Sequence, residues 1–265
     1  MLRYTPLCAF NDPFEGRPDI SELAPPKELS DPLMAATIAL ARSSYDQLDD
    51  LQKNKMSIET YTEVFSEMFA AKREEMVSAY TEVSIEMKRK ILSSMDSLVG
   101  ALCLTEEPTN ILMWPHYAQN HEGFVVEFDA HHKYFHGQRS TEDEFHRLRR
   151  VNYRRERPNL DFKDMNGIIL FLIKSNDWAY ENEWRVLKPL ADASHRIDIS
   201  PYPIDLFSFP RDAVKSVILG ERTTPATADR IRAALASHHE YAGVRLKKAV
   251  ADPKLFRLIL EELPS

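Results

Sequence analysis

Two glutamates separated by a single residue, Glu181 and Glu183, lie within the aromatic run Trp178–Arg185. Side chains of an extended strand alternate between its two faces, so these carboxylates and Arg185 are expected to share one face. Two neighbouring carboxylates can stabilise a cationic transition state while one of them orients or deprotonates a nucleophile. The same residues can instead form ordinary ion pairs with Arg185 on a solvent-facing sheet. The residues alone leave both interpretations open.

A second aromatic group occurs in the segment Met113–Ala118, which contains Trp114, His116 and Tyr117. The flanking residues predict a short helix here. Its rings could line a pocket, where aromatic faces stack on a ligand and the imidazole supplies a polar contact. Alternatively, Trp114 and Tyr117 belong to the core and His116 is a hydrogen-bonded structural residue. His116 and His121 are five positions apart, which is awkward for two ligands on one helix, so no metal site is predicted.

The N-terminal segment Phe10–Glu15 combines turn residues with two carboxylates and an amide. Asparagine and aspartate bond to nearby backbone amides and proline restricts φ, so this segment is expected to be a loop. Asn11 and Asp12 are candidate ligand-binding residues, although a structural turn is the simpler account of them. A metal-dependent phosphodiester hydrolase would need Asp12 and Glu15 to gather with Glu183 around a cation.

The segment Arg147–Arg157 contains six arginines. Guanidinium groups suit phosphate, so contact with a nucleotide or RNA is one interpretation. A solvated strand edge, where charges discourage strand pairing, is the other. The whole chain carries a formal net charge of −7, which provides no bulk attraction to nucleic acid.

Composition and apolar patterning predict a soluble cytoplasmic protein. The seven glycines argue against a glycine-loop nucleotide fold. Cys8 and Cys103 adjoin apolar segments without metal-ligand spacing, so both are expected to be buried thiols in a reducing compartment. No charged leader precedes an apolar stretch, and the strongest apolar run, Ile168–Ile173, is too short to cross a bilayer. No membrane contact is therefore predicted.

Hydrophobic spacing predicts two or three helices in about residues 31–97 and a strand-rich remainder. The chain is therefore predicted to form one α+β domain over residues 1–265, with a small mixed or mainly antiparallel sheet and a large N-terminal helical insertion at about 31–97. The later elements are predicted as strands at Val99–Leu104, Phe124–Asp129 and Val214–Gly220, and as helices at Phe162–Ser175, Thr224–His238 and Lys254–Leu263.

Three motifs together carry a family resemblance: Phe10–Glu15, Met113–Ala118 followed by Gly123 and Glu127–Asp129, and Trp178–Arg185. Their order and spacing resemble the bacterial family called domain of unknown function 2971, from the N-terminus to about Gly220. Members usually begin with an additional strand that carries a Lys-Tyr or Tyr-Arg motif. Here that first strand is missing, shortened or replaced by Arg3-Tyr4. The resemblance identifies relatives and implies no particular reaction.

The sequence Glu181-Asn182-Glu183 is also similar to the Glu-x-Glu signature of ADP-ribosyltransferases. This similarity implies that Glu183 favours the oxocarbenium-like state as nicotinamide leaves NAD, and that Glu181 helps to activate an acceptor. The residues implied to hold the dinucleotide are Tyr117 or Trp114, stacked on nicotinamide, and Arg3 or an arginine of Arg147–Arg157, bound to the pyrophosphate.

The leading hypothesis is an ADP-ribosyltransferase-like toxin or defence enzyme that uses NAD as a co-substrate and modifies a protein or RNA acceptor. The competing hypothesis is a non-catalytic regulatory module whose aromatic and acidic pocket binds a ligand or a partner protein. Both leave the oligomeric state open. The candidate catalytic residues are Glu183 and Glu181, and the candidate ligand-binding residues are Trp114, His116, Tyr117, Asn11, Asp12, Arg3 and Arg185.

Overall fold

The computed structural model of the protein describes residues 1–19, 26–158 and 167–264. The chain divides into two compact units. The first comprises Met1–Arg17, Met95–Arg157 and Asn166–Ser265, and the second comprises Pro18–Ser94 and Pro158–Met165.

Three helices occupy the segment that hydrophobic spacing predicts to be helical: α1 Pro26–Asp46, α2 Asp50–Lys53 and α3 Ile58–Leu98. α2 begins with a capping box, in which the Asp49 carboxylate accepts a hydrogen bond from the Gln52 amide and the Gln52 side chain accepts one from the Asp49 amide. The prediction of two or three early helices is confirmed. Their description as an insertion into one domain stays a prediction.

Twelve strands form three sheets in the described part of the first unit. The strands are β1 Leu2–Pro6, β2 Val99–Thr105, β3 Phe124–Phe128, β4 Leu148–Arg150, β5 Asn152–Arg154, β6 Ile173–Ser175, β7 Glu183–Pro189, β8 His195–Ile197, β9 Ile204–Phe207, β10 Val214–Leu219, β11 Arg245–Ala251 and β12 Leu258–Glu262.

The largest sheet has the order β4-β7-β2-β1-β9-β8, and each neighbouring pair in it is antiparallel. The second sheet has the order β12-β11-β10-β3, in which only β10 and β11 run parallel. A parallel pair, β5 and β6, forms the third. Helices together with mostly antiparallel sheets confirm the predicted α+β class.

The parallel pairing of β10 and β11 depends on the helix α5, Pro225–Ala236, because parallel neighbours need a crossover connection. The Thr224 side chain caps α5 by accepting a hydrogen bond from the Thr227 amide. Ala228 of this helix packs against Val217 and Leu246, which anchors the second sheet.

Two of the helix predictions are wrong. Lys254–Leu263 contains β12, because its apolar residues pair with β11 along the edge of the second sheet. In Phe162–Ser175, residues 162–166 lie outside the described part of the chain. Gly167–Leu172 is a short 3-10 helix and Ile173–Ser175 is β6, since a short apolar run suits either structure and pairing with β5 selects the strand.

Across the residues that the structure describes, no helix is both long enough and apolar enough to cross a bilayer.

Candidate functional site

A cavity of about 930 Å³ lies in the first unit and is lined by strands of both larger sheets. One wall comes from β1, β2 and β7, and the other comes from β3, β10, β11 and β12. The short helix α4, Met113–Tyr117, the loop that follows β1, and residues of β4 and β6 also contribute to the lining. Much of the lining is aromatic or aliphatic, and its volume is in the usual range of small-molecule sites.

Lys174 joins the two glutamates of the Glu-x-Glu motif at this cavity. Its ammonium nitrogen lies 2.5 Å from Glu181 Oε2 and 2.9 Å from Glu183 Oε2. All three side chains line the cavity and are buried, with residue exposures of 7% for Lys174, 2% for Glu181 and 4% for Glu183. The ammonium group also lies 5.1 Å from the centroid of the Trp178 ring.

Arg185 supplies the second positive charge of this cluster. Its guanidinium group donates to both carboxylate oxygens of Glu183, at 2.7 and 2.8 Å, and to the Phe171 carbonyl oxygen at 2.7 Å. It also pairs with Glu15 from the N-terminal loop. Such forked, charge-assisted bonds fix the direction of a carboxylate as well as its charge. The loop after β1 and the strand β7 are thereby joined at one buried point.

The backbone at Asn182 explains how Glu181 reaches the same point as Glu183. A 3-10 helix, Asn176–Glu181, ends here, and Asn182 adopts φ of 42° in the left-handed region, which asparagine tolerates better than most residues. The prediction of one continuous strand is therefore wrong for Glu181. Thr105 of β2 holds the displaced segment, since its hydroxyl donates to the Glu181 carbonyl oxygen at 2.6 Å.

Burial and ion pairing shift the pKa values of this cluster in opposite directions. Burial raises the pKa of Glu183, although the nearby Lys174 ammonium opposes the rise. Burial alone would lower the pKa of Lys174, but the carboxylates of Glu183 and Glu181 outweigh it and raise that pKa. Lys174 is therefore held firmly in its charged form, whereas Glu183 takes up a proton more readily than an exposed glutamate.

Two further polar side chains adjoin the glutamates. The Tyr117 hydroxyl donates to Glu181 Oε1 at 2.7 Å, and burial together with this bond raises the pKa of Tyr117. Cys103 is accessible from the cavity, so the prediction of a buried thiol is wrong for it. Surrounding protein and the carboxylate of Glu183 raise the pKa of Cys103, which keeps it in the neutral thiol form. Cys8 is half-buried.

Eight of the nine candidate site residues line the cavity; the exception is His116. His116 is exposed and makes edge-on ring contacts with Tyr117 and Trp178, at 6.2 Å between centroids in each case. Trp114 lines the cavity and also belongs to the hydrophobic core. It is buried, and its indole nitrogen donates to the Pro108 carbonyl oxygen at 2.9 Å. Arg3 and Asn11 line the cavity and are exposed.

The arginine run does not line the cavity. Arg147 and Arg149 both pair with Glu144, and Arg150 donates to the Asn182 side chain at 3.4 Å. These contacts match the interpretation of the run as charged residues along a strand edge.

The strands of the second sheet carry a second polar group, for which no role in a site was predicted from the sequence. Glu127 of β3 accepts hydrogen bonds from Ser216 of β10 and, at 3.0 Å, from Lys247 of β11. Burial opposes ionisation of Glu127, but these two donors outweigh it and lower its pKa. The alternating pattern of these strands places the three residues on one face, and Glu127 also belongs to the segment Glu127–Asp129 of the family motif.

Within the described residues, no group of three or more His, Cys, Asp or Glu is arranged to hold a metal ion. Glu15 and Glu183, which a metal-dependent phosphodiester hydrolase would use, both contact the Arg185 guanidinium group instead. A side-chain cation therefore occupies the position between these carboxylates.

The fold and the cavity define an α+β protein with a pocket of small-molecule size that strands of two sheets line. The model of the family described as Protein of unknown function (DUF2971) matches residues 113–186. This match confirms the resemblance over a stretch that runs from α4 to the Glu-x-Glu motif and Arg185. The comparison with curated proteins found no match, and the comparison with solved structures found none either.

Proposed function

We propose that this protein is an ADP-ribosyltransferase-like enzyme that binds NAD in the cavity and uses Glu183 and Glu181 as its catalytic carboxylates. The observation that carries the proposal is the position of the Glu-x-Glu pair, buried in a cavity of about 930 Å³ together with Trp114, Tyr117 and Arg3. Residues from distant parts of the chain thus meet where a ligand can be enclosed.

The reaction breaks the bond between nicotinamide and its ribose. The bonding electron pair leaves with the nicotinamide nitrogen, and the ribose carbon becomes an oxocarbenium-like cation. A carboxylate beside this carbon stabilises the developing charge, and we assign that role to Glu183. An acceptor hydroxyl, amine or water then attacks the ribose carbon and loses its proton, for which Glu181 is the assigned base.

The remaining lining suits the rest of the dinucleotide. Tyr117 and Trp178 offer aromatic faces beside the glutamates, and such faces bind planar rings. Arg3 is exposed and lines the cavity, where a guanidinium group can form two parallel bonds to a phosphate. Lys174 and Arg185 act as positioning residues, because they hold the two carboxylates in place.

The test is incubation of the purified protein with NAD that is labelled in the ADP-ribose part, with nicotinamide release and label transfer measured together. Glu183→Gln keeps the shape of the side chain and removes its charge, so it should lower turnover by roughly a hundredfold or more. Glu261→Gln, an exposed change on β12, is the matched control and should retain turnover. Wild-type protein that neither releases nicotinamide nor is stabilised by NAD in a thermal shift would refute the proposal.

A non-catalytic binding module is the second candidate, and one observation favours it. Each carboxylate oxygen of Glu181 and Glu183 already accepts a hydrogen bond from Tyr117, Lys174 or Arg185. A catalytic carboxylate needs an oxygen that can face the substrate. Stabilisation by NAD without nicotinamide release in any tested condition would support this second candidate.

A further inference from the structure

The ionisable side chains of the cavity are unbalanced in charge. Among the described residues, seven acidic and four basic side chains line it. The imbalance is concentrated beside the Glu-x-Glu motif, where four buried carboxylates surround two cations: Asp12, Glu15, Glu181 and Glu183 beside Lys174 and Arg185. Buried negative charges without matching positive charges are costly, so such a cluster favours an incoming positive charge.

Asp12 is the carboxylate of this cluster whose charge is least compensated by hydrogen bonds. The residue lines the cavity and is 7% exposed, and its Oδ1 accepts a hydrogen bond from the Phe14 amide at 2.9 Å. Its Oδ2 is buried and has no hydrogen-bond partner in the described part of the chain. The charge of Arg185 acts on the Asp12 carboxylate, but its guanidinium group pairs directly with Glu15 and Glu183.

The aromatic walls are arranged to accept positive charge as well. Lys174 lies 5.1 Å from the Trp178 ring centroid, and the Arg185 guanidinium carbon lies 5.1 Å from that of Phe10. Tyr117 extends the aromatic lining beside Glu181, to which its hydroxyl donates a hydrogen bond. Ring faces attract cations, and the attraction grows where water is excluded.

We propose that the cavity selects ligands that carry a delocalised positive charge on a flat, apolar body, such as an N-alkylated pyridinium, over neutral and anionic molecules of the same shape. This inference rests on the proposed function only in that the nicotinamide ring of NAD is one such cation. The charge imbalance, the unpartnered Asp12 oxygen and the aromatic walls carry it independently of any reaction.

The test compares three molecules of nearly equal shape: the N-methylated pyridinium form of nicotinamide, nicotinamide itself, and nicotinate. All three tryptophans of the chain line the cavity, so quenching of their fluorescence reports binding directly. The cation should bind roughly tenfold more tightly than nicotinamide, and nicotinate should bind most weakly. Equal affinities, tightest binding of nicotinate, or no binding of any of the three would overturn the inference.

A matched pair of variants tests whether the preference for the cation depends on Asp12. Asp12→Asn removes one charge from the cluster and should reduce the ratio of the affinity for the cation to the affinity for nicotinamide. Asp229→Asn is the same change on the exposed surface of α5 and should alter neither affinity. If Asp12→Asn does not fold, the wild-type series alone decides.

The two proposals can fail separately. Preference for the cation without turnover of NAD would overturn the enzymatic proposal alone, whereas turnover of NAD without any charge preference would overturn the selectivity alone.

Discussion

Replacement of Arg185 tests whether the cluster depends on its buried cations. The Arg185 side chain has an exposure of 0%, and it bonds to Glu183, to the Phe171 carbonyl oxygen and to Glu15. Arg185→Met keeps a long apolar side chain and removes all of these bonds. Glu15 then loses its cation, while Glu183 retains Lys174 at 2.9 Å. We expect the free energy of unfolding to fall by roughly 3–5 kcal/mol, as for other buried pairs that lose one partner.

The chemistry of the orphaned carboxylate bounds this value. A glutamate can lose its charge by taking up a proton. At pH 7, which is roughly 2.7 units above its ordinary pKa of about 4.3, protonation costs about 3.7 kcal/mol, at about 1.36 kcal/mol per pH unit. Its pKa in the folded variant is then raised above the unfolded value. Stability of the variant is therefore lost as pH rises, and the deficit relative to wild type should shrink by roughly 2–3 kcal/mol between pH 7 and pH 5.

The assay is urea denaturation followed by tryptophan fluorescence at both pH values. Trp114, Trp178 and Trp184 are the chain's tryptophans and all belong to the first unit, so the signal reports on the unit that holds the cavity. Arg245→Met is the control, because Arg245 pairs with Glu262 on an exposed edge and should cost at most about 1 kcal/mol. A similarly small cost for Arg185→Met, or a deficit equal at both pH values, would refute the reasoning.

Three other changes test the fold around the site. The pKa of Lys174 is raised above its ordinary value of 10.5. Its contribution to stability should therefore be fully present below about pH 10.5 and be lost as pH rises through the pKa of the folded state. Urea denaturation of wild type and Lys174→Met across this pH range measures the contribution. Gly220→Ala should destabilise the protein strongly because the added methyl group overlaps the His121 carbonyl oxygen, whereas Gly243→Ala meets no atom within 4 Å and should be tolerated in the same thermal melt. Asn182→Ala should cost about 1 kcal/mol or more in urea denaturation because of its left-handed backbone, and Asn182→Gly should recover the backbone part of that loss.

Local sequence patterns are sufficient to predict the secondary-structure elements whose conformation depends least on neighbouring elements. The continuous apolar run of β2 is visible within a few residues, and its prediction as a strand is confirmed. The prediction of a helix at Lys254–Leu263 is wrong because its residues suit a helix in isolation, whereas pairing with the edge of β11 satisfies the backbone of a strand. Such competition depends on the neighbouring strand and is absent from the local pattern.

The candidate site shows the same division. The Glu-x-Glu motif and the aromatic segment at α4 were found from residue types, and both line the cavity. Lys174 was missed because it follows an apolar run and resembles a residue on a helix surface. Its place between the two glutamates depends on the pairing of β5 with β6 and on the turn at Asn182, and neither can be read from residue types.

The sequence allows the Glu-x-Glu motif to be either a catalytic pair or a solvent-facing ion pair, and the structure shows an ion pair that is buried. Glu183 pairs with Arg185, as a surface ion pair would, yet the pair is buried at a cavity. In water such a pair contributes little, but in a buried setting its bonds fix both partners and its charges act over a longer distance. A ligand that reaches these carboxylates must therefore compete with Lys174 or Tyr117 for their oxygens. Contacts between the ligand and the aromatic side chains of the cavity can supply the free energy to displace Lys174 or Tyr117 from these oxygens. The enzymatic proposal and the charge selectivity of the cavity therefore depend on the same contacts.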